Sequence, residues 1–97
     1  MNEKRLQSSL VKLLKKFVNE NEIEIYDGVV LDENIRLIGV SSIFDSIELV
    51  QFIVEIENLL NEEFELEIEL TSEKAMSRRN SPFISINALV EYIVDES

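Results

Sequence analysis

Three segments of this sequence repeat apolar residues at intervals of three and four, which is the spacing of a helix with one apolar face. They predict helices over about residues 3–19, from residue 45 to about residues 61–63, and over about residues 85–95. Because each apolar stripe must be buried against another, these helices should pack around one core. The candidate core residues are Leu6, Leu10, Leu13, Leu14, Phe17, Leu49, Val50, Phe52, Ile53, Ile56, Leu59, Leu60, Ile86, Leu89, Val90, Ile93 and Val94.

A further, short helix is predicted over residues 71–77, where Thr71 or Ser72 is a suitable N-cap. The fold class that we expect is therefore all-α: a small four-helix bundle with three longer helices, one short third helix and a long loop between helices 1 and 2. With 97 residues, the chain has the length of a single domain, which we assign to residues 1–97.

The segment between the first two helices is harder to interpret. Residues 22–26 alternate polar and apolar side chains as a strand does, and residues 65–70 are the other alternating stretch, so a two-stranded pairing stays open. We favour a long ordered loop, because loops of this length in compact domains usually carry function or short helical turns. Its core-filling side chains would be Ile25, Val29, Val30, Leu31, Ile35, Leu37 and Ile38.

The composition excludes several kinds of chemistry. The sequence has no His, Cys or Trp, which rules out Cys/His zinc sites, thiol nucleophiles, imidazole bases and disulfides. A net charge of -11 disfavours binding to nucleic acids and to anionic membranes, because their phosphates repel it. Apolar runs are too short to span a membrane, and the first residues lack the apolar region of a signal peptide. We therefore expect a cytoplasmic protein.

The charge is divided unevenly along the chain. Residues 1–19 carry five basic side chains against Glu3, a net charge of +4. Residues 20–73 carry sixteen acidic side chains against Arg36 alone, a net charge of -15. The basic first helix can compensate part of the acidic segment inside the fold, which leaves an acidic face for a partner. The basic residues within 74–83 fit either a loop that neutralises nearby glutamates or a second contact surface.

The sequence Asp45-Ser46-Ile47-Glu48 at the start of the second helix fits a capping box. Asp45 would accept backbone N–H groups as the N-cap, and Glu48 would bond back to it. Ser46 would then lie at the first helical position, beside unpaired N–H groups and the positive end of the helix dipole, where a phosphate is favoured. Capping boxes are common, so the tetrapeptide alone fits a purely structural cap as well as a modified serine.

Residues 43–50 resemble the phosphopantetheine attachment region of the acyl carrier protein family, in which an Asp-Ser-Leu core opens the second helix. Residues 6–17 resemble the first helix of that family and residues 84–93 its final helix, so the resemblance covers nearly the whole chain. It implies that Ser46 carries 4'-phosphopantetheine, taken from coenzyme A by a phosphopantetheinyl transferase. The thiol of this arm would hold an acyl or aminoacyl group as a thioester. The protein would be a carrier and not an enzyme.

The same resemblance makes the second helix a recognition surface. Asp45, Ile47, Glu48 and Glu55 are the implied recognition residues. Their partners would be the transferase, an acyl- or aminoacyl-loading ligase, and acyltransferases or synthases with basic docking patches. The carrier itself would be a monomer.

An acyl pocket between the helices is the second implied site. Its candidate lining residues are Val50, Ile53, Ile68 and Ala75, although each of them also fits an ordinary core position. A carrier of short groups would not need such a pocket.

Two features depart from the common family pattern. Ile47 stands in place of the usual leucine, and Ile43-Phe44 replaces the Gly-x pair of fatty-acid carriers. Phe44-Asp45-Ser46 is closer to the Leu-Asp-Ser or Phe-Asp-Ser of D-alanyl and some specialised carriers. The favoured function is a standalone acyl carrier in fatty-acid, polyketide or specialised lipid or cell-surface biosynthesis. A D-alanyl or other aminoacyl carrier is the first alternative, and an acidic helical interaction module without a prosthetic group is the alternative of a different class.

Overall fold

The computed structural model describes residues 2–25, 27–38, 43–70 and 85–96. These ranges contain three helices, which are α1 (Glu3–Glu20), α2 (Ser46–Phe64) and α3 (Ile86–Glu96). Their bounds lie close to the predicted ones, and the all-helical fold class is confirmed.

The fourth helix of the prediction is not among the described elements. Residues 71–77, to which it was assigned, lie outside the described residues, so the structure supports three helices and not the predicted count of four. No strand forms in the described ranges, and the pairing considered for residues 22–26 and 65–70 is therefore not seen there. One isolated antiparallel bridge joins Arg36 to Ser85 instead.

Helix α1 packs against both other helices. Its N-cap is Asn2, whose side-chain oxygen accepts the backbone N–H of Arg5 at 3.1 Å. The guanidinium carbon of Arg5, in the first turn of α1, lies 4.8 Å from the ring centre of Phe64, the last residue of α2. The start of α1 therefore meets the end of α2, and the two helices run antiparallel. The buried residues of α1 are Leu6, Leu10, Leu14, Phe17 and Val18.

The rotation of α2 differs in part from the prediction. Its buried residues are Phe52, Ile53, Ile56 and Leu60. The opposite side of the helix therefore faces solvent. Val50 was predicted to lie in the core, but 53% of its surface is exposed, and that prediction was wrong. The physical reason is that α2 carries apolar residues on both sides, so packing against α1 selects which side is covered.

The loop between α1 and α2 fills part of the core as predicted, with one exception. Ile35 and Leu37 are buried, whereas Val30 is 66% exposed and does not belong to the core. The other predicted loop residues pack partly buried against the core, namely Ile25, Val29, Leu31 and Ile38.

Asn87, in the first turn of α3, connects the loop to two helices. Its backbone N–H donates to the Glu33 carbonyl at 2.9 Å, and its side-chain amide donates to Asn34 Oδ1 at 2.9 Å. Its side-chain oxygen accepts the Gln7 amide at 2.7 Å, which adds α1 to the network. These hydrogen bonds fix the loop between the ends of α1 and α3.

Helix α2 ends at Phe64, and its C-cap Glu65 adopts a left-handed conformation with φ 54° and ψ 37°. A side chain with a Cβ is disfavoured there by about 1–2 kcal/mol, whereas glycine adopts this conformation readily. We predict that Glu65→Gly will raise the free energy of unfolding by about 0.5–1 kcal/mol, measured by urea denaturation. Glu67→Gly makes the same change of charge at a residue without positive φ, and it should not stabilise the protein. Equal effects of the two variants would contradict the prediction.

Candidate functional site: the N-terminal end of α2

The predicted capping box at the start of α2 is present. Asp45 has an extended backbone, and its Oδ1 accepts the backbone N–H of Glu48 at 2.7 Å. Glu48 Oε1 in turn accepts the backbone N–H of Asp45 at 3.0 Å. The helix therefore begins at a defined residue, and Ser46 occupies its first position.

Ser46 is exposed at this position. The first backbone N–H groups of a helix have no partner within it, and its N-terminal end carries a partial positive charge. A phosphate on the Ser46 hydroxyl would be stabilised by both. The carboxylates of Asp45 and Glu48 are also near, but each accepts a backbone N–H, which offsets part of their charge.

Phe44 anchors the residues before this helix to the core. Its ring centre lies 5.5 Å from that of Phe17, in an edge-to-face arrangement, and 5.3 Å from that of Phe52. Phe17 and Phe52 are themselves 5.4 Å apart, so the three rings form one aromatic cluster. Since Phe44 directly precedes Asp45, this cluster holds the backbone that leads to Ser46.

The outer side of α2 is unusually apolar. Ile47, Val50 and Val54 are 69%, 53% and 48% exposed, and their spacing of three and four places them on one face as an outer apolar strip. Of the predicted recognition residues, Ile47 belongs to this strip, Glu55 is exposed beside it, and Glu48 is half-buried in the capping box.

The four predicted pocket residues lie in different surroundings. Ile53 is buried in the core, and Ala75 lies outside the described residues. Val50 lines a surface groove of about 500 Å³ between the end of α1 and α2, whereas Ile68 lines a different groove of about 480 Å³ beside the end of α2. Val50 and Ile68 thus face different surface grooves.

We call the first of these the α1–α2 groove. Val54, Glu20 and Asn21 are lining residues that the sequence reasoning missed. Val54 could have been found from its spacing to Ile47, but Glu20 at the end of α1 and the C-cap residue Asn21 approach α2 only in the folded structure. The lining residues of the groove are Phe17, Glu20, Asn21, Val50, Gln51, Val54, Glu55 and Asn58.

Glu57 lines the second groove, together with Ile68 and Glu69. Burial raises the pKa of its carboxyl above the ordinary value of 4.5, and the negative charge of Glu69 raises it further. The folded protein therefore holds the Glu57 proton more tightly than the unfolded chain does. The ionised carboxylate costs stability at neutral pH.

We predict that Glu57→Gln will raise the free energy of unfolding at pH 7. The gain should shrink as the pH falls through the raised pKa and vanish below 4.5, where the carboxyl is protonated in both states. Urea denaturation across this pH range measures it. Glu55→Gln removes one charge from the same helix and serves as the control for general charge repulsion. An equal gain of stability in both variants, or a gain that does not depend on pH, would contradict the role of Glu57 burial and of the Glu69 charge.

Comparisons with known proteins do not identify a family. The sequence matches no protein-family model, and searches of curated proteins and of solved structures found no similar protein. Within the described ranges, no helix has the length and apolar character needed to cross a membrane. The same ranges contain no group of three or more carboxylates placed to hold a metal ion.

Proposed function

We propose that the protein is a carrier that holds 4'-phosphopantetheine on the Ser46 hydroxyl and delivers an acyl group to partner enzymes. The observation that carries this proposal is the exposed Ser46 at the first position of α2, with its capping box formed and an outer apolar strip beside it. The resemblance of residues 43–50 to the attachment region of acyl carrier proteins supplies the identity of the modification.

The residues of this chain would have distinct roles in the modification. Ser46 Oγ would pass its proton to a base of the transferase and form a bond to the phosphorus that carries pantetheine. The bond from that phosphorus to the nucleotide part of coenzyme A would break, and 3',5'-ADP would leave. Asp45 and Glu48 would hold the helix start in place during this step. The attached arm would supply a thiol, which the protein lacks because it has no cysteine.

The outer face of α2 supports delivery to partners. Ile47, Val50 and Val54 offer an apolar contact, and Glu48 and Glu55 offer negative charge around it. An enzyme with an apolar depression rimmed by Arg and Lys would match this surface. Such charges mainly increase the association rate and select the partner. A cytoplasmic location and a monomeric state belong to this proposal as well.

Intact mass spectrometry after incubation with coenzyme A and a broad-specificity phosphopantetheinyl transferase tests the proposal. We predict the addition of one phosphopantetheine to the protein and none to Ser46→Ala. Ser8→Ala, which removes an exposed serine of α1, is the matched control and should be modified like the unaltered protein. An unchanged mass with several such transferases, or modification of Ser46→Ala, would contradict the proposal.

An interaction module without a prosthetic group is the second candidate. The fully formed capping box favours it, because Asp45 and Glu48 cap the helix through two reciprocal hydrogen bonds, neither of which involves the Ser46 hydroxyl. In that case the outer apolar strip would bind a partner directly. The mass experiment separates the two candidates, since only the carrier acquires the arm.

A further inference from the structure

We infer that the α1–α2 groove binds the group that the arm carries, and that this group is a short acyl chain bearing an ammonium, such as an aminoacyl group. This inference rests on the proposed function of Ser46. It adds a binding site on the outside of the bundle and the chemical class of the cargo.

The groove begins one helical turn after the attachment site. Ser46, Val50 and Val54 are spaced by four residues, so they lie along one side of α2. With a rise of 1.5 Å per residue, Val54 lies about 12 Å from Ser46 along the helix axis. An arm that folds back along α2 from Ser46 therefore passes over Val50 and enters the groove.

The inner side of α2 near Ser46 is already filled. The rings of Phe17, Phe44 and Phe52 pack together behind the first turns of the helix, with centres 5.3–5.5 Å apart. Ile53, on the same inner side, is only 4% exposed. A cargo that entered there would have to displace these side chains, whereas the outer groove is open to solvent.

The lining of the groove combines an apolar floor with an acidic and amide rim. Val50 and Val54 offer exposed apolar surface that suits a short side chain, beside the buried ring of Phe17, and Glu20 and Glu55 are the charged residues of the groove. The remaining lining residues carry amides and none of the eight is basic, so the groove attracts an ammonium and repels a carboxylate.

Lys16 is the nearby cation that opposes this attraction. Its ammonium lies 3.8 Å from Glu20 Oε1, but the side chains are 69% and 56% exposed, and exposed pairs of this kind contribute little. Glu20 therefore remains able to attract a second cation. A long neutral chain would gain less here, because the open groove would leave much of it in water.

The first experiment compares two cargoes on the arm that share a three-carbon chain. Coenzyme A amide analogues whose pantetheine arms end in an alanyl or a propionyl group differ by one ammonium, and the transferase attaches either arm to Ser46. We expect the alanyl form to shift the backbone amide resonances of Val50, Gln51, Val54 and Asn58 relative to the propionyl form. Identical spectra, or differences confined to residues 45–47, would overturn the inference.

Two double variants test the role of the rim. Glu20→Gln with Glu55→Gln should abolish most of the difference between the alanyl and propionyl spectra. Glu62→Gln with Glu91→Gln removes the same charge from exposed residues outside the groove and should preserve the difference. Loss of the difference in both double variants would show an effect of net charge alone and would also overturn the inference.

A chemical attachment separates failure of this inference from failure of the proposed function. Because the chain has no cysteine, Ser46→Cys introduces a single thiol that can be alkylated with linkers ending in an ammonium or in a methyl group. If the transferase does not modify Ser46, the proposed function fails, and these linkers still test the groove. If Ser46 is modified but neither the alanyl cargo nor the ammonium linker shifts the groove resonances, only the groove assignment fails.

Discussion

Phe44→Ala should lower the free energy of unfolding by about 3 kcal/mol, a typical cost for removing a buried phenylalanine. Phe44 is 9% exposed, and its ring contacts both Phe17 and Phe52, so truncation leaves a cavity that these rings cannot fill without moving. Domains of this size are stable by only about 5–15 kcal/mol in total, so the loss would be large. Urea denaturation followed by circular dichroism measures it.

Two variants control this prediction. Phe44→Leu keeps an apolar side chain in the cluster and should cost clearly less. Ile47→Ala removes a side chain that is 69% exposed and should change stability by less than about 0.5 kcal/mol. Equal costs for Phe44→Ala and Ile47→Ala would refute the anchoring role of the aromatic cluster.

The same variant links the core to the proposed site. If Phe44 holds the backbone before Asp45, its truncation should slow the transfer of phosphopantetheine to Ser46 under conditions where the variant is still folded. Phe44→Leu should be modified at close to the normal rate. A normal rate for a folded Phe44→Ala would show that the capping box alone positions the serine.

Leu37→Ala is predicted to have the second large effect, a loss of about 2–5 kcal/mol. Leu37 is 1% exposed and lies in the loop between α1 and α2, next to Arg36, which bridges to Ser85 at the start of α3. Its side chain therefore attaches the loop to the core. The loss should be measurable by urea denaturation, with a lower midpoint and a similar slope if the loop stays ordered in the folded state.

Val30→Ala is the matched control for this second prediction. It truncates an apolar side chain of the same loop, but Val30 is 66% exposed, and its removal should cost less than about 0.5 kcal/mol. A small loss in Leu37→Ala would mean that the loop contributes little to folding. A large loss of stability in Val30→Ala would show that exposure does not separate the two loop residues, and it would contradict the prediction.

Much of the site was predictable because its determinants are local in the sequence. A capping box involves residues three positions apart, so Asp45 and Glu48 predict both the start of α2 and the position of Ser46. The α1–α2 groove was not predictable in this way. Glu20 and Asn21 are separated from Glu55 by more than thirty residues, and their proximity depends on how α1 packs against α2.

The three long helices and the cap at Asp45 therefore follow from the sequence alone, since helical periodicity and capping are properties of neighbouring residues. The burial of individual residues does not. Four aliphatic side chains show this difference. In the loop Val30 is exposed and Leu37 is buried, and in α2 Val50 is exposed and Ile53 is buried. The packing of α2 against α1 and of the loop against the core selects which apolar side chains are covered, and this selection leaves the strip beside Ser46 exposed.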